Sequence, residues 1–106
     1  MAVQVLIRRR FVKGKEKELA PLIVKLRSLA LMQPGYISGE TLRCIEPAGE
    51  YEYLVRSTWQ SLEAWQNWLQ SEERTELQKQ IDIISSEKTE YRIYESLVGG
   101  ILPKQG

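Results

Sequence analysis

The chain of 106 residues contains no histidine and only one cysteine, Cys44. Imidazole and thiolate are the usual ligands of zinc and of haem iron, so a metal centre would have to be built from carboxylates, and these do not cluster along the sequence. A lone cysteine also rules out an intrachain disulfide. No charged start followed by an apolar stretch and a small-residue cleavage site is present, so the expected setting is reducing and cytoplasmic. No apolar run approaches the length that spans a bilayer, which predicts no membrane partner. An excess of one charge is lacking too. Fifteen basic residues against 14 acidic ones leave a net charge of +1, where a nucleic-acid partner would demand a basic face. Nine basic and five acidic side chains fall in the first fifty residues, and six and nine in the remainder. That asymmetry reads as solvated faces rather than a partner code.

What the sequence does have is a concentration of tryptophan. Trp59, Trp65 and Trp68 lie within ten residues. Trp65 and Trp68 are three apart and share a helical face with Leu62 and Leu69, a face that must meet a core or form the wall of a pocket. At this length one domain, residues 1–106, is expected, with an ordered core over about 3–97 and a short tail from 98 to 106.

Alternation from Ala2 to Val12 predicts a first strand, with Val3, Val5, Ile7 and Phe11 on one face and Gln4, Arg8 and Arg10 on the other. The arginine run at 8–10 reads either as exposed strand-end charge or as an anion-binding patch. Gly14 breaks the strand. Leu19, Leu22, Ile23, Leu26, Leu29 and Ala30 then follow helical spacing. Pro21 implies that this helix starts near Glu18 or kinks there, and Gln33-Pro34-Gly35 ends it. Residues 36–46 read as a second strand, with Tyr36, Glu40, Leu42 and Cys44 on one face, Ile37, Thr41, Arg43 and Ile45 on the other, and Gly39 marking a bulge or bend. A turn at Pro47-Ala48-Gly49 leads into a third strand, where Tyr51, Tyr53, Val55 and Trp59 oppose Leu54, Arg56 and Thr58. Apolar groups on both faces of these strands imply that a second subunit covers the open side of the sheet.

Ser61 is the expected N-cap of the tryptophan helix, which runs to Leu69 or Gln70. Leu77, Ile81 and Ile84 then mark a short helix or a continuation beyond a bend at Ser71, and residues 89–98 a fourth strand. In the tail, Ile101 and Leu102 are candidates to dock on a neighbour. The order βαββααβ is the split βαβ pattern of an α+β, ferredoxin-like fold: a four-stranded antiparallel sheet with helices on one face.

Three stretches, FVKGKEKEL, PGYISGETLR and TWQSLEAWQNWLQSEE, stand in the order in which the antibiotic biosynthesis monooxygenase superfamily carries its motifs. The chain resembles that superfamily from about Val3 to Leu97. The resemblance implies a homodimer in which two ferredoxin-like sheets meet through their open faces as a dimeric α+β barrel. It also implies an activity among cofactor-independent oxygenation of phenols, quinols or anthrones and haem degradation. In the haem-degrading branch the site resembles Asn on the first strand, Trp in the helix and His beyond it. Trp68 matches the Trp, but Ile7 and Gln78 occupy the other two positions. Ile has no amide and Gln is a poor iron ligand, so the resemblance disfavours haem degradation and implies a small aromatic substrate, O2 and no cofactor.

On that reading Trp68 is the stacking wall, Ile7 lies beside it and Gln78 is a neutral hydrogen-bond partner. Tyr53 is a candidate oxyanion donor, Asn67 a candidate orienting group and Arg9, on the strand face of Ile7, a candidate counter-charge. Each also has a plain structural reading. Trp65 and Trp68 suit a core, Tyr53 a packed edge, Asn67 a solvated face, and Arg9 an ordinary ion pair. Cys44 reads as a small packed side chain. The catalytic residues stay unassigned. The competing function is a non-catalytic dimeric module that binds a hydrophobic small molecule.

Overall fold

The computed structural model describes residues 2–49 and 51–97. Strand β1 (Val3–Arg10) is followed by α1 (Glu16–Ala30), β2 (Tyr36–Arg43), β3 (Glu52–Trp59), α2 (Leu62–Leu69), α3 (Glu72–Ile84) and β4 (Glu90–Glu95). A single 3-10 turn, Pro47–Gly49, sits between β2 and β3. The strands form one antiparallel sheet in the order β2-β3-β1-β4. This is the expected α+β, ferredoxin-like arrangement. The tail from Val98 onward, with Ile101 and Leu102, lies outside the described residues.

Strict alternation makes β1 the spine of the core. Val3, Val5, Ile7 and Arg9 are buried, while Gln4, Leu6, Arg8 and Arg10 face the other side. In register, Val5 lies between Ser57 of β3 and Ile93 of β4. The core gathers Val3, Val5, Ile7, Phe11, Leu19, Leu26, Leu77 and Ile81 around all three tryptophans. Tyr36, Trp59 and Trp65 meet edge-on, with ring centroids 5.3 and 5.8 Å apart, the geometry that the ring quadrupoles favour.

Arg9 departs from the expectation of exposed strand-end charge, since it is 2% exposed. Its neighbours Arg8 and Arg10 do remain on the open face. Arg8 is 3.0 Å from both Glu52 and Glu90. The middle arginine points inward because it shares the odd-numbered face of β1 with three apolar residues.

Helix α1 begins at Glu16, two residues before the expected start, and runs through Pro21. The carbonyl that loses its partner to the proline is that of Lys17. Both residues are exposed, so water can satisfy the carbonyl, and buried Leu19 and Leu26 anchor the helix on the sheet.

The bulge in β2 falls at Ile37, between Tyr36 and Ser38, and not at Gly39. One inserted residue switches the alternation. Tyr36 pairs with Trp59 on the core side, whereas Ser38, Glu40 and Leu42 take the open face. Tyr36 therefore does not share a face with Glu40 and Leu42, as plain alternation would have it. Gly39 is required for a different reason. A Cβ there would lie 2.5 Å from the Tyr36 hydroxyl, so glycine makes room for the folded-back ring.

Ser61 caps α2 as expected, its Oγ accepting from the Ala64 amide at 3.1 Å. Ser71 then separates α2 from α3. Its Oγ donates to the Trp68 carbonyl at 2.9 Å and accepts from the Arg74 amide at 3.3 Å. The third helix is consequently an independent element of 13 residues rather than a short extension. β4 is shorter than expected, ending at Glu95.

Candidate functional site

Between α1 and the core face of the sheet lies a cavity of about 50 Å³. Its floor is Ile7, Arg9, Val55 and Ser57 of β1 and β3. One wall is Ile23, Leu26 and Ala30 of α1, and the far wall is Trp59, Trp65, Trp68 and Arg74. Arg27, Glu40 and Thr41, all exposed, surround the mouth. There the Arg27 guanidinium reaches across from α1 and donates to the Gly39 carbonyl of β2 at 3.3 Å.

The polar chemistry of this apolar chamber is cationic and donor-rich. Arg9 donates through Nη2 to Gln78 Oε1 at 3.0 Å, but its Nε is buried with no partner among the described residues. The indole Nε1 of Trp65 is in the same condition, whereas that of Trp59 donates to Ser57 Oγ at 3.1 Å. Arg74, 5% exposed, donates to the Leu69 carbonyl at 3.3 Å and to the Tyr91 hydroxyl, with its guanidinium 5.2 Å from the centre of that ring. Among the described residues neither Arg9 nor Arg74 has a carboxylate in ion-pair contact. Loss of hydration, with a smaller contribution from the Arg74 guanidinium, lowers the Arg9 pKa to about 10, while Tyr91 and Asp82 act in the opposite direction. Arg9 is still charged at neutral pH, and burying it is costly.

Of the residues singled out in the sequence, Trp68, Ile7 and Arg9 line the cavity together. Gln78 stands behind it. Its Oε1 accepts from Arg9 and from the Tyr91 hydroxyl, and its Nε2 donates to Asp82 and Thr89 at 2.8 and 3.0 Å. With its amide engaged on both sides, Gln78 holds Arg9 in place and does not line the chamber. Tyr53 pairs with Arg9 across the strands, yet its ring leans on Phe11, 5.0 Å between centroids, and its hydroxyl donates to Glu16. Burial raises the Tyr53 pKa, and the Glu16 carboxylate accepting its proton raises it further. Asn67 is exposed on the outer side of α2. Neither Tyr53 nor Asn67 lines the cavity.

Arg74 was not legible as a pocket residue, although a signal existed. Positions 74, 77 and 81 follow helical spacing and all three are buried, so an arginine occupied the apolar stripe of α3. Trp65 combines the packing role expected of it with an unpartnered donor at the chamber.

A model of the family described as antibiotic biosynthesis monooxygenase matches residues 2–80. The chain belongs to this family. Solved structures of the same fold include a conserved protein from Methanosarcina mazei Go1, with TM-score 0.79 and 18% identity, covering 89% of this chain and 91% of that one. SnoaB, a cofactor-independent oxygenase from Streptomyces nogalater, superposes with TM-score 0.77 at 18% identity, over 97% of this chain and 98% of that one. Rv0793 from Mycobacterium tuberculosis gives 0.78 at 14% identity, over 90% and 94%. Among curated proteins none matches the sequence significantly. In this family member no group of three or more His, Cys, Asp or Glu among the described residues could hold a metal ion, and no described helix is long and apolar enough to cross a membrane.

Proposed function

We propose that this family member is a small cytoplasmic monooxygenase that oxidises a phenol-, quinol- or anthrone-like ring with O2 and without metal or flavin. One observation carries the reading: three tryptophans wall a chamber in which the buried Arg9 N–H lacks an acceptor. A ring packed against Trp68 would present its oxyanion to Arg9. The ionised ring gives one electron to O2, and the resulting superoxide and substrate radical join through a new C–O bond. The O–O bond of that hydroperoxide then breaks with loss of water, leaving a carbonyl on the ring. One oxygen atom ends in product and one in water, and the substrate supplies both electron pairs. The chain's part is to stabilise the anion and exclude water.

The chamber is small for this task, since an apolar cavity that holds benzene is roughly 150 Å³. Arg27 must leave the mouth and the α1 wall must yield for a ring to enter. The alternative is a binding module without chemistry, which needs the same opening of the chamber. Oxygen uptake with a panel of quinols and anthrones separates the two. Uptake that falls at least tenfold in Trp68→Ala supports the oxygenase, whereas no uptake with any member, or uptake unaffected by that change, removes it.

The proposed assembly is a homodimer through the open sheet face. Leu6, Leu42, Leu54 and Tyr94 present apolar area there among the ion pairs of Arg8 with Glu52 and Glu90 and of Arg56 with Glu40. A face that sets apolar side chains among ion pairs suits a symmetric contact.

A further inference from the structure

The chamber has donors in excess and no internal base. Arg9 and Trp65 each keep a buried N–H without an acceptor among the described residues. Tyr36, Thr41 and Ser57 bring hydroxyls rather than a basic group, and the one carboxylate among the lining residues, Glu40, sits exposed at the mouth and pairs with Arg56 at 3.2 Å. A neutral phenol, with a pKa of about 10, would therefore have to shed its proton where nothing inside can take it. Two buried guanidiniums repel each other across the site, and their mutual repulsion is relieved only by negative charge.

We infer that this cavity receives a planar conjugated oxyanion that enters already ionised, a carboxylate or an acidic enol, its oxygens bound by the Arg9 and Trp65 N–H groups beside the Arg74 guanidinium. This deepens the proposed function, and rests on it for the cavity but not for the oxidation. The anion supplies what the chamber lacks. It gives acceptors to two donors that have none among the described residues, and a counter-charge in contact with two arginines that make no ion pair there. A buried donor left unsatisfied costs about 1–3 kcal/mol, so a ligand that satisfies both is favoured by that much over one that leaves them unpaired. The apolar walls then select for a ring behind the charged head, because a small hydrated anion gains nothing from tryptophan.

The experiment is a titration at pH 7.5 followed by calorimetry and by tryptophan fluorescence, since all three indoles line the chamber. Two ionised probes, benzoate and the acidic enol dimedone, are set against two neutral ones, benzamide and phenol. At least one ionised probe is expected to bind at least tenfold more tightly than both neutral ones, and which of the two it is distinguishes carboxylate from enolate. The Arg9→Met variant is expected to lose at least tenfold in affinity for that probe while its affinity for the neutral ones is unchanged, and Arg9→Lys to recover part of the loss. Neutral probes that bind as well as the ionised ones, an Arg9→Met variant that keeps its affinity, or no ionised binding up to about 10 mM each overturns the inference. Anion binding without oxygen uptake on any substrate would discard the oxygenase and keep the receptor. Oxygen uptake that is lost in Trp68→Ala, with no binding of either ionised probe, would do the reverse.

Discussion

Replacing Arg9 with methionine should make the protein more stable, an unusual outcome for removing a fully buried, hydrogen-bonded side chain. The magnitude follows from the depressed pKa. Burial pushes the Arg9 pKa down from the ordinary guanidinium range to about 10, and at 1.36 kcal/mol per unit the folded state bears a cost on the order of 3 kcal/mol for keeping the charge at neutral pH. Methionine carries no charge and is similar in length. Its introduction removes the hydrogen bond to Gln78, but Gln78 Oε1 still accepts from the Tyr91 hydroxyl at 3.2 Å, so no new orphan is created. A net gain of about 2 kcal/mol remains, or roughly 10 °C in Tm for a domain of this size.

The pH dependence checks the cause. A cation whose pKa is lowered by folding destabilises the fold fully below the folded pKa, and the penalty disappears as pH rises toward the unfolded value. The advantage of Arg9→Met over the parent should thus be constant up to about pH 9 and shrink by about 1.4 kcal/mol by pH 11. Urea unfolding at several pH values, read by tryptophan fluorescence, measures both quantities. A variant less stable than the parent by more than about 1 kcal/mol would show that the guanidinium holds the core together, and the idea of a site strained for a ligand would be lost.

Other substitutions probe the frame around the site. Ser61→Ala removes the oxygen that caps the Ala64 amide and should cost about 1 kcal/mol in urea unfolding. Gly35 has φ +88° and lies where a Cβ would come 2.5 Å from the Ala64 Cβ. Gly35→Ala should accordingly destabilise by roughly 2 kcal/mol or more, reported as a drop in Tm. Sedimentation at micromolar concentration should give about twice the 12.3 kDa chain mass, and Leu54→Glu, which puts a charge on the open face, should shift it toward the monomer. A monomeric parent would dispose of the barrel arrangement.

The order of elements and most of their faces are legible in the chain before it folds. Hydrophobic periodicity is a local property, and β1, β3, α1 and α2 each carry it, with Arg9 and Ser57 as polar members of the core face. Ser61 could be named as a cap because capping is decided within four residues. Trp68, Ile7 and Arg9 could be put together because strand alternation and family order both placed them on the side where the helices pack. The bulge at Ile37 could not be read, since it depends on how β2 meets β3 and on the Tyr36 ring folding over Gly39.

Tertiary structure alone decided the chemistry of the pocket. Whether a charge is buried is settled by what packs against it, and Arg9 disappears beneath α3 while Arg8 and Arg10, one residue away on either side, stay at the open face. Gln78 and Tyr53 looked like equivalent polar candidates in the sequence. Gln78 became the support for Arg9, and Tyr53 turned away to Glu16, because a side chain's partners come from elements distant in the chain. Arg74 joined Arg9 only when α3 closed over β1. A pair of cations with no carboxylate in ion-pair contact among the described residues is a property of that closure, invisible in a chain whose overall charge is nearly balanced.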